Sequence, residues 1–223
     1  GADLNAADWK QVAEIATPRS WLPLLDFAYQ GFGKNPDADA IGVRTLAEAG
    51  VPLIVCQSFS KNFGLYQDRV AALHIVCADS NEATRVKSQV ELCIRTNYSN
   101  PPAHGGAVVT NILNSPELTS QWDQELAGMR DRIKTTREDF VAALKQAGVS
   151  RNFDFLMDQN GMFSFTGITV EQVTRLREEF AIYMVDSGRS NVAGITPATI
   201  APATNAPQTF ITQLSPIFPN RTS

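Results

Sequence analysis

Apolar positions fall on one helical face near the start of the chain, where Trp9, Val12, Ala13 and Ala16 recur behind Asn5, the expected N-cap of a helix over residues 6–16. The pattern then shortens. Residues 21–27, Trp21-Leu22-Pro23-Leu24-Leu25-Asp26-Phe27, form a compact apolar run that predicts a buried strand emerging at Asp26, its start blurred by Pro23. Residues 38–49 read as a helix stopped by Gly50, residues 52–56 as a second buried strand, and residues 71–77 as a third apolar run. Strand, helix and strand within about thirty residues predict an α/β fold with parallel strands, whose ligands gather at the carboxyl ends. Asp26 and the segment 58–61 lie at such ends.

Ser80 is the expected cap of a helix with Val86, Val90, Cys93 and Ile94 on one face, followed by a non-helical loop over residues 97–102. Ser115-Pro116 then opens a long helix whose stripe of Trp122, Leu126, Met129, Ile133, Phe140 and Leu144 continues toward Gly148. That stripe reads as core packing, and a helix of this length can bridge two domains. Residues 161–165 alternate like a strand, and Thr169 with Gln172 forms a capping box before Val173, Leu176 and Phe180. Residues 181–185 are predicted to form another short strand. The elements divide into an α/β unit over residues 1–128 and a small α+β unit over residues 129–223, with a proline-rich, loosely held tail from about residue 197. No internal repeat is evident.

Composition narrows the function classes. The chain has 223 residues, of which 43% are hydrophobic and 19% charged, with a net charge of −4. Its lysines and arginines are scattered, so no basic field invites a nucleic acid. The apolar runs, such as residues 51–56, fall far below the roughly 20 residues that span a bilayer, so no membrane segment is expected. Cys56, Cys77 and Cys93 are too few and too irregular for a disulfide framework or a zinc site, which suits a reducing, cytoplasmic compartment. The sequons at Asn97 and Asn220 are read as unglycosylated. The opening Gly1-Ala2-Asp3-Leu4 has neither an initiator methionine nor a signal region and reads as cut from something longer.

The chemistry concentrates in a few polar positions. Ser58-Phe59-Ser60-Lys61-Asn62-Phe63-Gly64 is a polar turn after an apolar strand, with two hydroxyls and an amine at a ligand-binding edge. A lone lysine there is usually structural. Asp26 at the end of the other strand, Tyr29 three residues later and Arg69 eight residues after the lysine change that reading. Together they supply what pyridoxal phosphate needs: an amine for a Schiff base, a carboxylate for the pyridinium nitrogen, a phenol for the ring oxygen, and a hydroxyl with a guanidinium for the phosphate. Other positions read more plainly. Arg95 at a helix end and Arg189 after Gly188 are, by themselves, ordinary surface charges; His74 is a core or edge residue, and His104 has no evident catalytic partner.

Four stretches carry a family resemblance: residues 26–32 (Asp26-Phe27-Ala28-Tyr29-Gln30-Gly31-Phe32), residues 58–66 with the lysine, residues 97–105 (Asn97 to Gly105), and residues 187–194 (Ser187-Gly188-Arg189-Ser190-Asn191-Val192-Ala193-Gly194). In order and spacing they resemble the aspartate aminotransferases, of the pyridoxal-phosphate-dependent fold type I. The lysine loop is similar to the cytosolic eukaryotic form more than to the mitochondrial one. The resemblance covers the chain to about residue 197 and implies the C-terminal half of a large α/β domain followed by a small α+β domain.

It also implies roles. Lys61 would bind the cofactor and move the proton between the substrate's Cα and the cofactor, while Asp26 would hold the pyridine nitrogen protonated. Tyr29 would donate to the ring oxygen, and Ser58 and Arg69 would anchor the phosphate. Arg189 would grip the substrate's α-carboxylate, Phe163 would line the site, and Arg95 would meet the side-chain carboxylate from the neighbouring subunit of a homodimer. Dicarboxylic amino acids and 2-oxo acids are the implied substrates, and no metal is implied. In the resembled family roughly the first half of the chain precedes the position of Gly1 and carries further cofactor contacts. The same residues leave two other readings open: a truncated, non-catalytic remnant of that enzyme, and an aromatic amino-acid aminotransferase of the same subgroup.

Overall fold

Asn5 caps α1 (Ala6–Arg19): its side-chain oxygen accepts from the amides of Ala7 and Asp8, and the Asp8 carboxylate accepts in return from the Asn5 amide at 2.9 Å. The helix continues past Pro18 and closes on Ser20 in the left-handed region. The computed structural model describes residues 2–146, 148–149 and 151–196. It resolves them into two units, one formed by Leu4–Ala127 and one that begins at Gly128 and takes in Asp3.

In the first unit, β1 (Leu24–Phe27) pairs in parallel with β2 (Leu53–Ser58), and α2 (Ile41–Glu48) makes the crossover. A one-turn 3-10 helix, Ala38–Ala40, leads into α2, and Gly50, at φ +70°, ends it where the sequence places the stop. β3 (Ala71–Val76) joins the other side of β2 in antiparallel register, with Ser58 opposite Ala71 and Leu53 opposite Val76. The expected sheet of parallel strands is therefore corrected at β3. Residues 59–70 return the chain without a helix, and without a helical crossover a neighbouring strand comes back antiparallel.

Burial also differs from expectation. Residues 21–27 do not make a buried strand: β1 starts only at Leu24, and Trp21, Leu22 and Leu24 are exposed, Leu24 by 65%. β1 is the outer strand of a three-stranded sheet, and only its inward positions, Leu25 and Phe27, pack on the core. That core is Ala13, Ala16, Leu46, Val51, Leu53 and Val55, with Trp9 and Val43 along its rim. Each such large side chain contributes roughly 1.5–3 kcal/mol of apolar burial.

α3 (Ser80–Asn97) is capped by Asp79, not by Ser80: the Asp79 carboxylate accepts from the Glu82 amide at 2.8 Å. The sequence leaves residues 103–114 unassigned, and they form α4 (Ala103–Asn114). Gly105 lets this helix approach closely, since a Cβ there would sit 2.9 Å from the Asp68 Cβ. Ser115-Pro116 opens α5 (Pro116–Gln146), whose residues up to Ala127 belong to the first unit.

From Gly128 onward α5 packs with α6 (Val170–Phe180) and bonds to β4 (Phe163–Phe165), which pairs with β5 (Arg189–Asn191). Val141, Leu144, Phe153, Leu156, Ile168, Val173 and Leu176 form the core. The capping box at α6 is present, with Thr169 Oγ1 accepting from the Gln172 amide and the Gln172 side chain accepting from Thr169 N. The strand expected over residues 181–185 is absent. Ala181 takes a left-handed conformation (φ +54°) that ends α6, and the Ile182 amide bonds back to Leu176 O at 2.9 Å, so this segment spends its backbone on a helix end. The partner of β4 is β5, with Phe165 opposite Arg189. The predicted proline-rich tail lies outside the described residues. Among the described residues no helix is long and apolar enough to cross a membrane.

Candidate active site

The sheet of the first unit brings the end of β1 beside the end of β2. Asp26 stands opposite Cys56 in the parallel register, and Ser58 is the last residue of β2. Beyond Ser58 the lysine loop is built by local bonds: the Ser60 amide donates to Ser58 Oγ at 3.2 Å, and the Gly64 amide to Lys61 O at 3.3 Å, with Gly64 at φ +68°. The Phe59 amide reaches Val70 O, so Arg69 comes back to the strand end that carries Ser58. Arg69 is itself left-handed at φ +49°, an uncommon conformation for a residue with a side chain, and its guanidinium bonds Tyr66 O.

The loop is clamped from behind. Asn62 is buried, 3% exposed; its side-chain Nδ2 donates to Gln30 O, and its backbone carbonyl accepts the Trp122 indole N–H at 2.7 Å. The Trp122 ring stacks on Phe63 with centroids 4.6 Å apart. Gln30 in turn donates from Nε2 to Pro36 O, while its Oε1 accepts from Gln57 Nε2, whose Oε1 faces His74. Asp39 accepts from the amides of Gly31, Gly33 and Lys34, which fixes the turn after Tyr29. Gly31, at φ +96°, leaves no room for a Cβ, which would lie 2.4 Å from Leu126.

These bonds deliver the half-buried Lys61 amine to a position 5.0 Å from the Tyr29 ring centroid and 5.9 Å from that of Tyr66. Burial, and then the neighbouring Tyr29, raise the Tyr66 phenol above its ordinary value. The Asp26 carboxylate, the Tyr29 hydroxyl and the Lys61 amine have no hydrogen-bond or ion-pair partner among the described residues, leaving their polar ends available to a ligand. Arg95, in the last turn of α3, is exposed and donates to Ser99 Oγ, with Ser99 left-handed at φ +70°. The structure of this chain does not bring Arg95 to Lys61. His104 faces Asp68 at 4.0 Å, and His74 is an exposed residue of β3.

The second unit holds Phe163 and Arg189 together. The guanidinium carbon of Arg189 lies 4.7 Å from the Phe163 ring centroid, a stacked cation–aromatic pair diagonal across β4 and β5. The turn that delivers it is locked: Gly188 at φ +76° approaches Ile168, and its carbonyl accepts from both the amide and the hydroxyl of Thr166. Behind β4, the buried Arg137 of α5 donates to Ser164 Oγ and to the carbonyls of Gly161 and Phe163. The sequence reading assigns no role to Gln30, Asn62, Asp39 or Arg137, since each acts through backbone groups that no residue spacing reveals.

Comparison with known proteins gives the family. Residues 1–206 match the sequence model described as "Aminotransferase class I and II". The chain is 51% identical over 206 residues to an aspartate aminotransferase of Escherichia coli (strain K12), covering 92% of this chain and 52% of that protein. It is 46% identical over 200 residues to an aromatic-amino-acid aminotransferase of the same organism, covering 90% of this chain and 50% of that protein. An aromatic-amino-acid aminotransferase from Burkholderia pseudomallei, solved covalently bound to pyridoxal phosphate, superposes with a TM-score of 0.90 at 47% identity, over 97% of this chain and 53% of that one. The chain thus spans about half the length of the curated relatives it matches. With the α/β architecture of fold type I and a match along 206 of its residues, this chain belongs to the class I and II aminotransferase family.

Proposed function

We propose that the chain is the lysine-bearing portion of a pyridoxal 5′-phosphate-dependent aspartate aminotransferase, which moves an amino group reversibly from L-aspartate to 2-oxoglutarate, giving oxaloacetate and L-glutamate. The observation that carries the reading is the Lys61 amine held 5.0 Å from the Tyr29 ring, in the unit where Asp26 and Ser58 close adjacent strands. The residues fit the cofactor by their chemistry: an amine, a carboxylate and a phenol with free polar ends, and a hydroxyl and a guanidinium at one strand end. When bound, pyridoxal phosphate supplies an electron sink that makes the amino acid's Cα acidic.

Lys61 is the base that would take the proton from that Cα and pass it to the cofactor's C4′. Asp26 turns its carboxylate to the ring nitrogen and keeps a proton there, because a nearby negative charge favours the cationic form. Tyr29 donates its phenolic hydrogen to the ring oxygen. Ser58 and Arg69 hold the phosphate by charge-assisted hydrogen bonds. Arg189, backed by Phe163, takes the substrate's α-carboxylate in a bidentate fork. Arg95 meets the side-chain carboxylate of a substrate bound in the neighbouring subunit of a homodimer with shared sites. Two cationic forks select dicarboxylic amino acids and 2-oxo acids. In domain terms, residues 1–128 are half of the cofactor-binding domain and residues 129–223 the small domain. The three unpaired cysteines support a reducing, cytoplasmic setting.

The relatives that act on aromatic amino acids favour a second reading, in which the same cofactor residues serve an aromatic substrate. One experiment addresses the chemistry. The purified chain, incubated with pyridoxal phosphate and reduced with borohydride, is expected to carry an adduct at Lys61 by mass spectrometry, absent from Lys61→Ala. A folded sample that traps no adduct counts against the reading and in favour of a non-catalytic remnant. Initial rates with aspartate and phenylalanine then separate the two substrate readings.

A further inference from the structure

Arg137 is a cation in an unusual setting. It is 5% exposed, burial pushes its guanidinium below the ordinary value, and no carboxylate pairs with it among the described residues. Its partners are all neutral: Ser164 Oγ from Nε at 3.1 Å, Gly161 O, and Phe163 O at 3.4 Å. A buried charge without a counter-ion is costly, and a stable core alone is better served by an apolar side chain of similar volume. The donors of Arg137 all grip one short segment, residues 161–164, which includes the first two residues of β4. Phe163 in that segment backs the Arg189 guanidinium, and β4 sets the register of the strand that carries Arg189. The segment after β5 is tied to the same helix, since Arg132 donates to Ala193 O at 2.9 Å and the Ala193 amide donates to Met162 O.

We propose that Arg137 is a positioning residue for the α-carboxylate fork: its guanidinium fixes the Phe163 backbone, and hence the stacked Arg189, and its unneutralised charge strengthens the pull of that strand pair on an anion. The proposal rests on the reading of Arg189 given above. Because the α-carboxylate is common to every amino-acid substrate, loss of Arg137 weakens all of them alike. Arg95, which is assigned to the side-chain carboxylate, differs in this respect, because its loss changes the ratio between substrates.

The test uses the protein loaded with pyridoxal phosphate. Arg137→Met is expected to raise KM for aspartate and for phenylalanine by the same factor, about tenfold, the scale of a lost hydrogen bond to a charged group. kcat per cofactor-loaded site is expected to change little. Calorimetric binding of succinate, which involves no turnover, is expected to weaken to the same extent, and Arg137→Lys to recover part of the loss by restoring the charge. A melting temperature that falls while KM and succinate affinity stay at the parent values overturns the proposal in favour of a purely structural arginine. Unequal effects on the two substrates also overturn it. Arg189→Ala separates the two layers. If that variant binds succinate as the parent does, the reading of Arg189 fails and the proposal with it; if it loses binding while Arg137→Met does not, only the proposal fails.

Discussion

In the unit formed by residues 4–127, the chemistry-bearing side chains are held from behind and left open in front: Asn62, Gln30 and Asp39 tie down backbone, while Lys61, Tyr29 and Asp26 keep free polar ends. In the unit that begins at Gly128, the exposed Arg189 is stacked on an aromatic ring, and the strand beneath is gripped by a buried guanidinium. The cores themselves are alike, with Leu46 and Leu53 of the first unit and Val173 and Leu156 of the second fully enclosed, while the sheet of the first unit leaves Leu24 and Leu73 exposed by 65% and 52%. The first unit thus presents several unpartnered polar side chains at one sheet end, and the second presents one stacked arginine.

The largest test of that contrast is a pair of truncations. Leu156→Ala should cost about 2–5 kcal/mol in chemical denaturation, the range for an enclosed leucine, while Leu24→Ala should stay within about 0.5 kcal/mol. A large loss at Leu24 would break the comparison, since it would mean that β1 is covered in solution. Next in size, Asp39→Ala leaves three amides without their acceptor and should cost about 1–3 kcal/mol. It should also lower the yield of the borohydride-trapped Lys61 adduct, because the turn after Tyr29 loosens; an unchanged yield would separate that turn from the cofactor pocket. The smallest effect concerns pH. The Tyr66 phenol is raised in the folded protein, so the folded state keeps a proton that the unfolded chain releases near pH 10, and the stability from this source is lost as pH rises through the alkaline range. Tyr66→Phe should therefore flatten the alkaline limb of a stability-against-pH curve.

Short-range signals were readable from the sequence. Asn5 and Thr169 each sit where the next few residues complete a cap, and Gly50 ends a helix for reasons contained in its own conformation. The position of Lys61 after a strand was likewise visible, because β2 is a continuous apolar run. What failed depended on partners far along the chain. Residues 181–185 are apolar enough for a strand, yet β4 is paired by Arg189–Asn191 instead, and Ala181 is taken up in a helix end. The run at residues 21–27 reads as buried, but burial depends on what lies across the sheet, not on the run itself. Arg137 was unreadable for the same reason: its acceptors lie 24 to 27 residues away, and two of them are carbonyls that any residue would offer.

One feature of the fold bears on how the chain unfolds. α5 is a single helix of 31 residues, roughly 46 Å of continuous rod. Its first part supplies Trp122 and Leu126 to the lysine-bearing unit, and its later part supplies Val141 and Leu144 to the core of the unit that carries Arg189. The second core and the clamp behind the lysine loop both need this helix, and helix formation is cooperative along its length. Each unit thus relies on its own stretch of one helix, and loss of that helix is expected to loosen both.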